Sequence, residues 1–294
     1  MNMAATAPRS SLIQLCYVRL AVSQPQSAAA FATEVLGLQA VPDKQALLFR
    51  SDNRYQTLCL DTNAATSSIG IEIADEAALD RMAEALKQEG FAARQATAEE
   101  CARRFVRGAL IVVDATGNEI DLVLRPALSG RRYFPSRDAG VTGLQSVGLR
   151  SRALKDDLRL WTAILGAWVS DRAGDVTYLR FDHKHHRIAL YPSGRSGLVY
   201  VSYGVESMDA IMQSSYFVQE RQIKIVHGPG RDPASGQIFL RFEGPEGYVF
   251  SYAYGLNDAE PNHHPRQFAA QPSSLCEWGS ECRDIPELQL PSGS

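Results

Sequence analysis

GPGRDPASGQIFLRFEGPEGYVFSYAYG, residues 228–255, reads as strand, turn and strand. Residues 237–242 alternate around large apolar side chains, Gly244, Pro245, Glu246 and Gly247 supply the turn, and residues 248–254 resume an aromatic-rich run. Residues 109–125, ALIVVDATGNEIDLVLR, repeat that layout around Asp114, Gly117 and Asn118. The same hairpin is written twice, and what lies between the copies sets the fold.

Working outward, residues 12–22 (LIQLCYVRLAV) form an apolar strand, and Ser23, Gln24 and Pro25 open a helix that Gly37 ends. Strands at 47–50 and 56–61 flank the turn residues Ser51, Asp52 and Asn53. A second unit begins with a strand at 69–73 and an amphipathic helix over 75–90, closed by Gly90, and ends in the 109–125 hairpin. Residues 125–140 carry prolines, glycines and four arginines and read as a linker. Then the pattern restarts: strand 144–151, helix 154–165 stopped by Gly166, strands 176–181 and 187–191, strand 198–205, helix 208–220 and the opening hairpin. Gly37 and Gly166, like Gly117 and Gly247, stand about 130 residues apart, which sets the repeat period. The expected fold is α+β, with four βαβββ modules paired into two domains at 12–126 and 143–256. A flexible N-terminus (1–11), a linker (127–142) and an extended surface arm (257–294), lying on this chain or across a partner subunit, complete it.

The chain has 294 residues, 45% hydrophobic and 21% charged, enough for two cores. A net charge of −3 with scattered Arg and Lys argues against a nucleic-acid partner. No apolar run approaches 18 residues and residues 1–11 lack a signal-peptide core, so no membrane partner and a cytoplasmic location are expected. Five cysteines without CxxC spacing read as reduced thiols, with Cys276 and Cys282 the one candidate pair.

The repeated modules and the opening stretch resemble the vicinal oxygen chelate superfamily, in particular its two-domain type I extradiol ring-cleaving dioxygenases. Residues 228–252 are similar to that family's GPGRH closing motif, and His186 in HHRIAL matches the active-site histidine of its HxxAL segment. The resemblance implies Fe(II) or Mn(II) held by a His on the first strand of module three, a His on the first strand of module four, and a Glu four residues past the closing-turn glycine. Those positions are Ser146, Tyr200 and Ser251. The histidine of GPGRH is Asp232, and the family's catalytic tyrosine is Arg241. Tyr17, Ser68 and Asp121, the N-terminal equivalents, offer no triad either. Neutral hydroxyls bind Fe(II) poorly, and a phenol with a pKa of about 10 is a ligand mainly for ferric iron. No cofactor is therefore expected.

His186 is the candidate acid/base, against the plainer reading of a structural histidine. Tyr200 and Arg241 join it as candidate catalytic groups, with Ser146, Ser251, Asp232, His227 and Tyr252 as candidate substrate contacts. Arg241 either pairs with Asp232 or clamps a carboxylate or phenolate; Tyr252 alternatively packs or faces a subunit. His183 and His185 lie in a turn where exposed histidines are ordinary, and Lys184 would repel a cation; His263 and His264 sit in the arm. The leading expectation is a metal-independent enzyme on a small aromatic or oxygenated cyclic compound. A binding protein of the bleomycin-resistance type and a ring-cleaving dioxygenase with an unorthodox metal site are the alternatives. The resemblance also implies a homo-oligomer.

Overall fold

The computed structural model describes residues 10–43, 46–260 and 262–290; the expected flexible N-terminus lies, up to residue 9, outside them. Module one is β1 (Leu12–Ala21), α1 (Pro25–Ala30), β2 (Gln39–Val41), β3 (Leu47–Arg50) and β4 (Leu58–Asp61). Module two is β5 (Ser68–Ile73), α2 (Glu76–Gln88), β6 (Ala92–Gln95), α3 (Ala98–Arg104), β7 (Gly108–Val113) and β8 (Glu119–Leu124). Module three is β9 (Val141–Ser151), α4 (Leu154–Arg159), β10 (Trp168–Ala173), β11 (Val176–Arg180) and β12 (Ile188–Pro192). Module four is β13 (Leu198–Val205), α5 (Met208–Glu220), β14 (Ile225–Arg231), β15 (Ile238–Glu243) and β16 (Val249–Tyr254), after which β17 (Arg266–Phe268) adds a short strand. The α+β reading and both hairpins hold. The additions are the strands β2, β6, β10, β14 and β17 and α3, a two-turn helix made by a reciprocal capping box between Thr97 and Glu100.

One sheet has the order β2-β3-β4-β1-β5-β8-β7-β6, the other β14-β15-β16-β13-β9-β12-β11-β10-β17. Local chemistry sets the helix ends: the Asp75 carboxylate accepts the Ala78 N–H at the start of α2, and the Ser207 hydroxyl accepts the Ala210 N–H at the start of α5. Both α1 and α4 run on through a wider π-type turn, at Phe31–Val35 and Leu160–Ile164. Gly37 and Gly166 follow with φ of 73° and 76°, a left-handed conformation that only glycine adopts without strain.

Each closing hairpin docks on the first helix of the other half. Glu246, in the β15–β16 turn, accepts the Ser23 and Gln24 N–H groups at the start of α1, at 2.8 and 2.9 Å. In the mirrored contact, Thr116 of the β7–β8 turn donates its N–H and its hydroxyl to Asp157 of α4, at 3.2 and 2.5 Å. One large apolar core runs through both halves. A second fills the other face of the C-terminal sheet with Tyr178, Ala189, Tyr191 and Tyr200, closed by Leu275, Cys282 and Leu288 of the arm.

The arm lies on this chain and closes its second core. Its β17 pairs parallel with β10, and its leucines bury apolar area that its irregular sequence does not advertise. Cys276 and Cys282 are free thiols. Among the described residues no helix is long and apolar enough to cross a membrane.

Glu287 pins the arm by accepting from Arg150 at 2.8 Å and Ser193 at 2.7 Å. Burial works to raise its carboxyl, but those bonds outweigh burial and hold it at about 2. Its contribution is therefore present above the ordinary value of 4.5 and lost as the pH falls toward 2. Glu287→Ala should destabilise the fold by about 2 kcal/mol and speed limited proteolysis of residues 257–290 at neutral pH. An unchanged cleavage rate would show that the leucines alone hold the arm.

Candidate active site

Strand register places five side chains in one row. Ser146 of β9 stands opposite Ser202 of β13, Ser202 opposite Ser251 of β16, Ser251 opposite Arg241 of β15, and Arg241 opposite His227 of β14. Tyr200 shares the face of Ser202, two residues away. Its ring lies over Gly148, where a Cβ would come within 2.7 Å, so glycine there makes room for the phenol. His186 enters from the loop before β12, fully buried, its ring 5.0 Å from that of Tyr178. The sequence reading thus named four members of the row plus Tyr200 and His186; it missed Ser202, which strand alternation from Tyr200 would have found.

The face is rich in open hydrogen-bonding capacity. Ser146 Oγ, Ser202 Oγ, the Tyr200 hydroxyl, His186 Nε2 and Arg241 Nε are buried without a hydrogen-bond partner. Arg241 donates from Nη1 to His227 Nδ1 at 3.0 Å, and its guanidinium lies 4.8 Å from the Tyr200 ring centre and 3.9 Å from that of Phe239. Among the described residues no carboxylate comes within ion-pair distance of it. The expected Arg241–Asp232 pair is not formed, because the Asp232 carboxylate caps its own turn by accepting the Ala234 N–H at 2.9 Å. Cation–π contacts worth about 1 to 2 kcal/mol when desolvated and one hydrogen bond offset part of the cost of burial. They leave the guanidinium without a carboxylate in contact, Asp232 acting on it only from beyond ion-pair range, and they leave its Nε–H without a partner. In the N-terminal half, by contrast, Tyr17, Ser68 and Arg104 all donate to Asp121, at 2.9, 3.2 and 2.9 Å. That half is neutralised internally; the C-terminal half is not.

Burial, reinforced by Arg241, pushes His227 down to about 3, so it is the neutral acceptor for the guanidinium. Burial likewise holds His186 well below the usual histidine range, with His185, Arg187 and Arg241 adding repulsion.

Two expectations change. His185 is buried rather than exposed, because the β11–β12 loop folds inward under the arm: its Nδ1 lies 3.0 Å from His186 Nδ1 and its Nε2 lies 2.8 Å from Asp171 Oδ2. Asp171, which the sequence reading missed, also takes the Arg266 guanidinium at 2.5 Å and His263 Nε2 at 3.2 Å, both from the arm. Burial would raise its carboxyl, but bonds from His185 and Arg266 hold it well below the carboxylate range. Tyr252 is not a cup residue: alternation turns it to the opposite face, where its hydroxyl donates to the Val35 carbonyl at 2.8 Å.

A cavity of about 390 Å³ lies between His227 and the arm residues Cys276, Trp278, Cys282 and Leu288. A larger one, about 570 Å³, lies in the N-terminal half. Its arginines are matched, Arg19 by Asp61 and Arg103 by Glu99, whereas Arg241 has no ion-pair partner among the described residues.

No protein-family model matches the chain. It is 29% identical over 198 residues to a biphenyl-2,3-diol 1,2-dioxygenase of Pseudomonas sp. (strain KKS102), a match that spans 61% of this chain and 68% of that one. It is 27% identical over 295 residues to an iron-dependent extradiol dioxygenase of Rhodococcus jostii (strain RHA1), spanning 92% and 97%. Among solved structures, a halotolerant catechol dioxygenase matches with a TM-score of 0.85 at 19% identity, over 98% of this chain and 100% of that one. The fold is that of the two-domain extradiol dioxygenases.

These relatives overturn the expectation that no cofactor is involved, since one of them is named for its dependence on iron. Reading three ligand positions was too narrow a basis, because donors elsewhere in a chain can also hold an ion. The residues present here do not fit the metal, however. The carried-over positions offer hydroxyls beside a buried guanidinium. Asp171, His185 and His263 do meet, but Arg266 already occupies the carboxylate. Among the described residues no group of three His, Cys, Asp or Glu is placed to hold a metal ion, and no step is routed through one.

His227 refuses a proton in the folded state that it accepts at about 6.5 once unfolded. Stability should therefore fall as the pH drops from 6.5 toward 3, by on the order of 4 kcal/mol over the full span. His227→Gln, which keeps an acceptor for Arg241, should flatten that decline in denaturant titrations between pH 7 and 4. An equally steep decline would place the acid sensitivity elsewhere.

Proposed function

We propose that this chain is an enzyme of the extradiol-dioxygenase kind, acting on a dihydroxylated aromatic compound bound as an anion in the C-terminal cup. The observation that carries this reading is Arg241, a buried guanidinium with no carboxylate in ion-pair contact, in a face that leaves four further polar atoms without partners. A phenolate oxygen supplies the missing negative charge and an acceptor for the fork of N–H donors. Ser146 and Ser202 receive the second oxygen, and Tyr178, Tyr191 and Tyr200 wall the ring. His186 Nε2 exchanges the hydroxyl proton, its depressed basicity keeping it neutral and ready to accept. The arm shields the cup from bulk water, which strengthens each of these interactions. The relative named for biphenyl-2,3-diol supports the ring class.

The hydroxyl-only donor set favours a second reading, a protein that holds such a diol without converting it. One experiment separates the two. Biphenyl-2,3-diol is titrated into the protein while phenolate absorbance is followed, and the mixture is then assayed for ring-opened product with and without added Fe(II). Arg241→Met should weaken binding by about 10- to 100-fold. His186→Ala should leave binding within a few-fold and slow conversion by ~10². Tight binding with the diol recovered unchanged in every condition would favour the holding protein, and no binding by the native chain would sink both.

A further inference from the structure

From the line Asp171, His185, His186, we infer that Asp171 and His185 are positioning residues that fix the tautomer of His186 and receive the proton it takes up. The inference rests on the functional reading only in supposing that a ligand in the cup gives up that proton.

Three observations carry it. Asp171 is an ionised carboxylate, held by the Arg266 guanidinium and by its backbone N–H at 2.7 Å, so the nitrogen 2.8 Å away, His185 Nε2, must carry a hydrogen. Taking the resting His185 as neutral, that hydrogen leaves its Nδ1 bare. The facing atom 3.0 Å away, His186 Nδ1, must then be the donor. His186 therefore holds its one hydrogen at Nδ1 and turns a lone pair at Nε2 into the cup, where Nε2 has no protein partner. The tautomer needed for a general base follows from a carboxylate two residues removed along the line.

The same line solves a charge problem. An imidazolium at His186 would be fully buried with Arg241 close by. Through the line, the substrate O–H breaks and an N–H forms at His186 Nε2. The Nδ1–H of His186 breaks in turn, and an N–H forms at His185 Nδ1. The products are an oxyanion at Arg241, a neutral His186 with its hydrogen moved to Nε2, and an imidazolium at His185 against Asp171. Every proton is accounted for, and the positive charge ends beside a carboxylate instead of a guanidinium. His263 and Arg266 tie this support to the arm.

The test reads the tautomer directly, without turnover. Long-range ¹⁵N–¹H correlation spectra of protein labelled at its six histidines, with His186→Asn for assignment, should show His186 protonated at Nδ1 and bare at Nε2 in the ligand-free state at neutral pH. In Asp171→Asn the amide oxygen stays on the Arg266 N–H and the NH₂ faces His185. His185 then moves its hydrogen to Nδ1, and His186 should switch to the Nε2-protonated form, with turnover of the diol down ~10² and its KM within a few-fold. His185→Gln is the second variant: it should leave binding intact and lower the rate similarly. A native His186 protonated at Nε2, or a His186 tautomer unmoved by Asp171→Asn, would overturn the relay. Failure of the diol to bind, with the tautomers as stated, would count against the functional reading and leave the relay standing.

Discussion

The antiparallel pairing of β9 with β13 is the constraint on which the C-terminal half depends. It sets Ser202 opposite Ser146 and, through β16 and β15, aligns Ser251, Arg241 and His227 in the same row. Strand side chains alternate strictly, so a slip of one residue would exchange this polar row for Val147, Val201 and Leu240 of the main core. Packing enforces the register: Gly148 leaves only enough room for the Tyr200 ring, and the hairpin turn at Glu246 must reach the start of α1. One pairing thus decides both which core forms and which side chains face the cup.

The two halves solve the same problem in opposite ways. Each buries an arginine among tyrosine and serine hydroxyls. In the N-terminal half Asp121 accepts from Arg104, Tyr17 and Ser68, so nothing more is needed. In the C-terminal half the aspartate in the neighbouring turn, Asp232, uses Oδ1 to accept the Ala234 and Ser235 N–H groups and makes no ion pair with Arg241. A buried guanidinium without a carboxylate in contact is costly to keep, and that asymmetry distinguishes the two cups. The iron dependence in one relative's name does not change the donor chemistry around Arg241, which suits an anion better than a cation.

Much of the site was legible in the sequence for the same reason the fold was. Period-two alternation and a repeat of about 130 residues locate strands and faces without any long-range information, and the family resemblance, carried onto those strands, picks out Ser146, Tyr200, Ser251 and Arg241. Tyr252 shows the rule applied too loosely, for the parity that puts Ser251 in the cup excludes its neighbour. His185 and Asp171 were not legible: they are 14 residues apart, on a loop and on a strand whose polar residue looks like an ordinary surface aspartate. Their contact arises only when the arm brings Arg266 and His263 over them.

By itself, then, the sequence determined the four modules, the two closing hairpins and the face on which each strand residue lies, because these follow from local periodicity and turn chemistry. It did not determine protonation, pairing or closure. Whether Arg241 finds a carboxylate, whether the arm lies outside or becomes part of a core, and which nitrogen of His186 faces the cup all depend on groups distant in the chain meeting within hydrogen-bond range. The strength of such contacts is set by burial, which only the packed tertiary structure supplies.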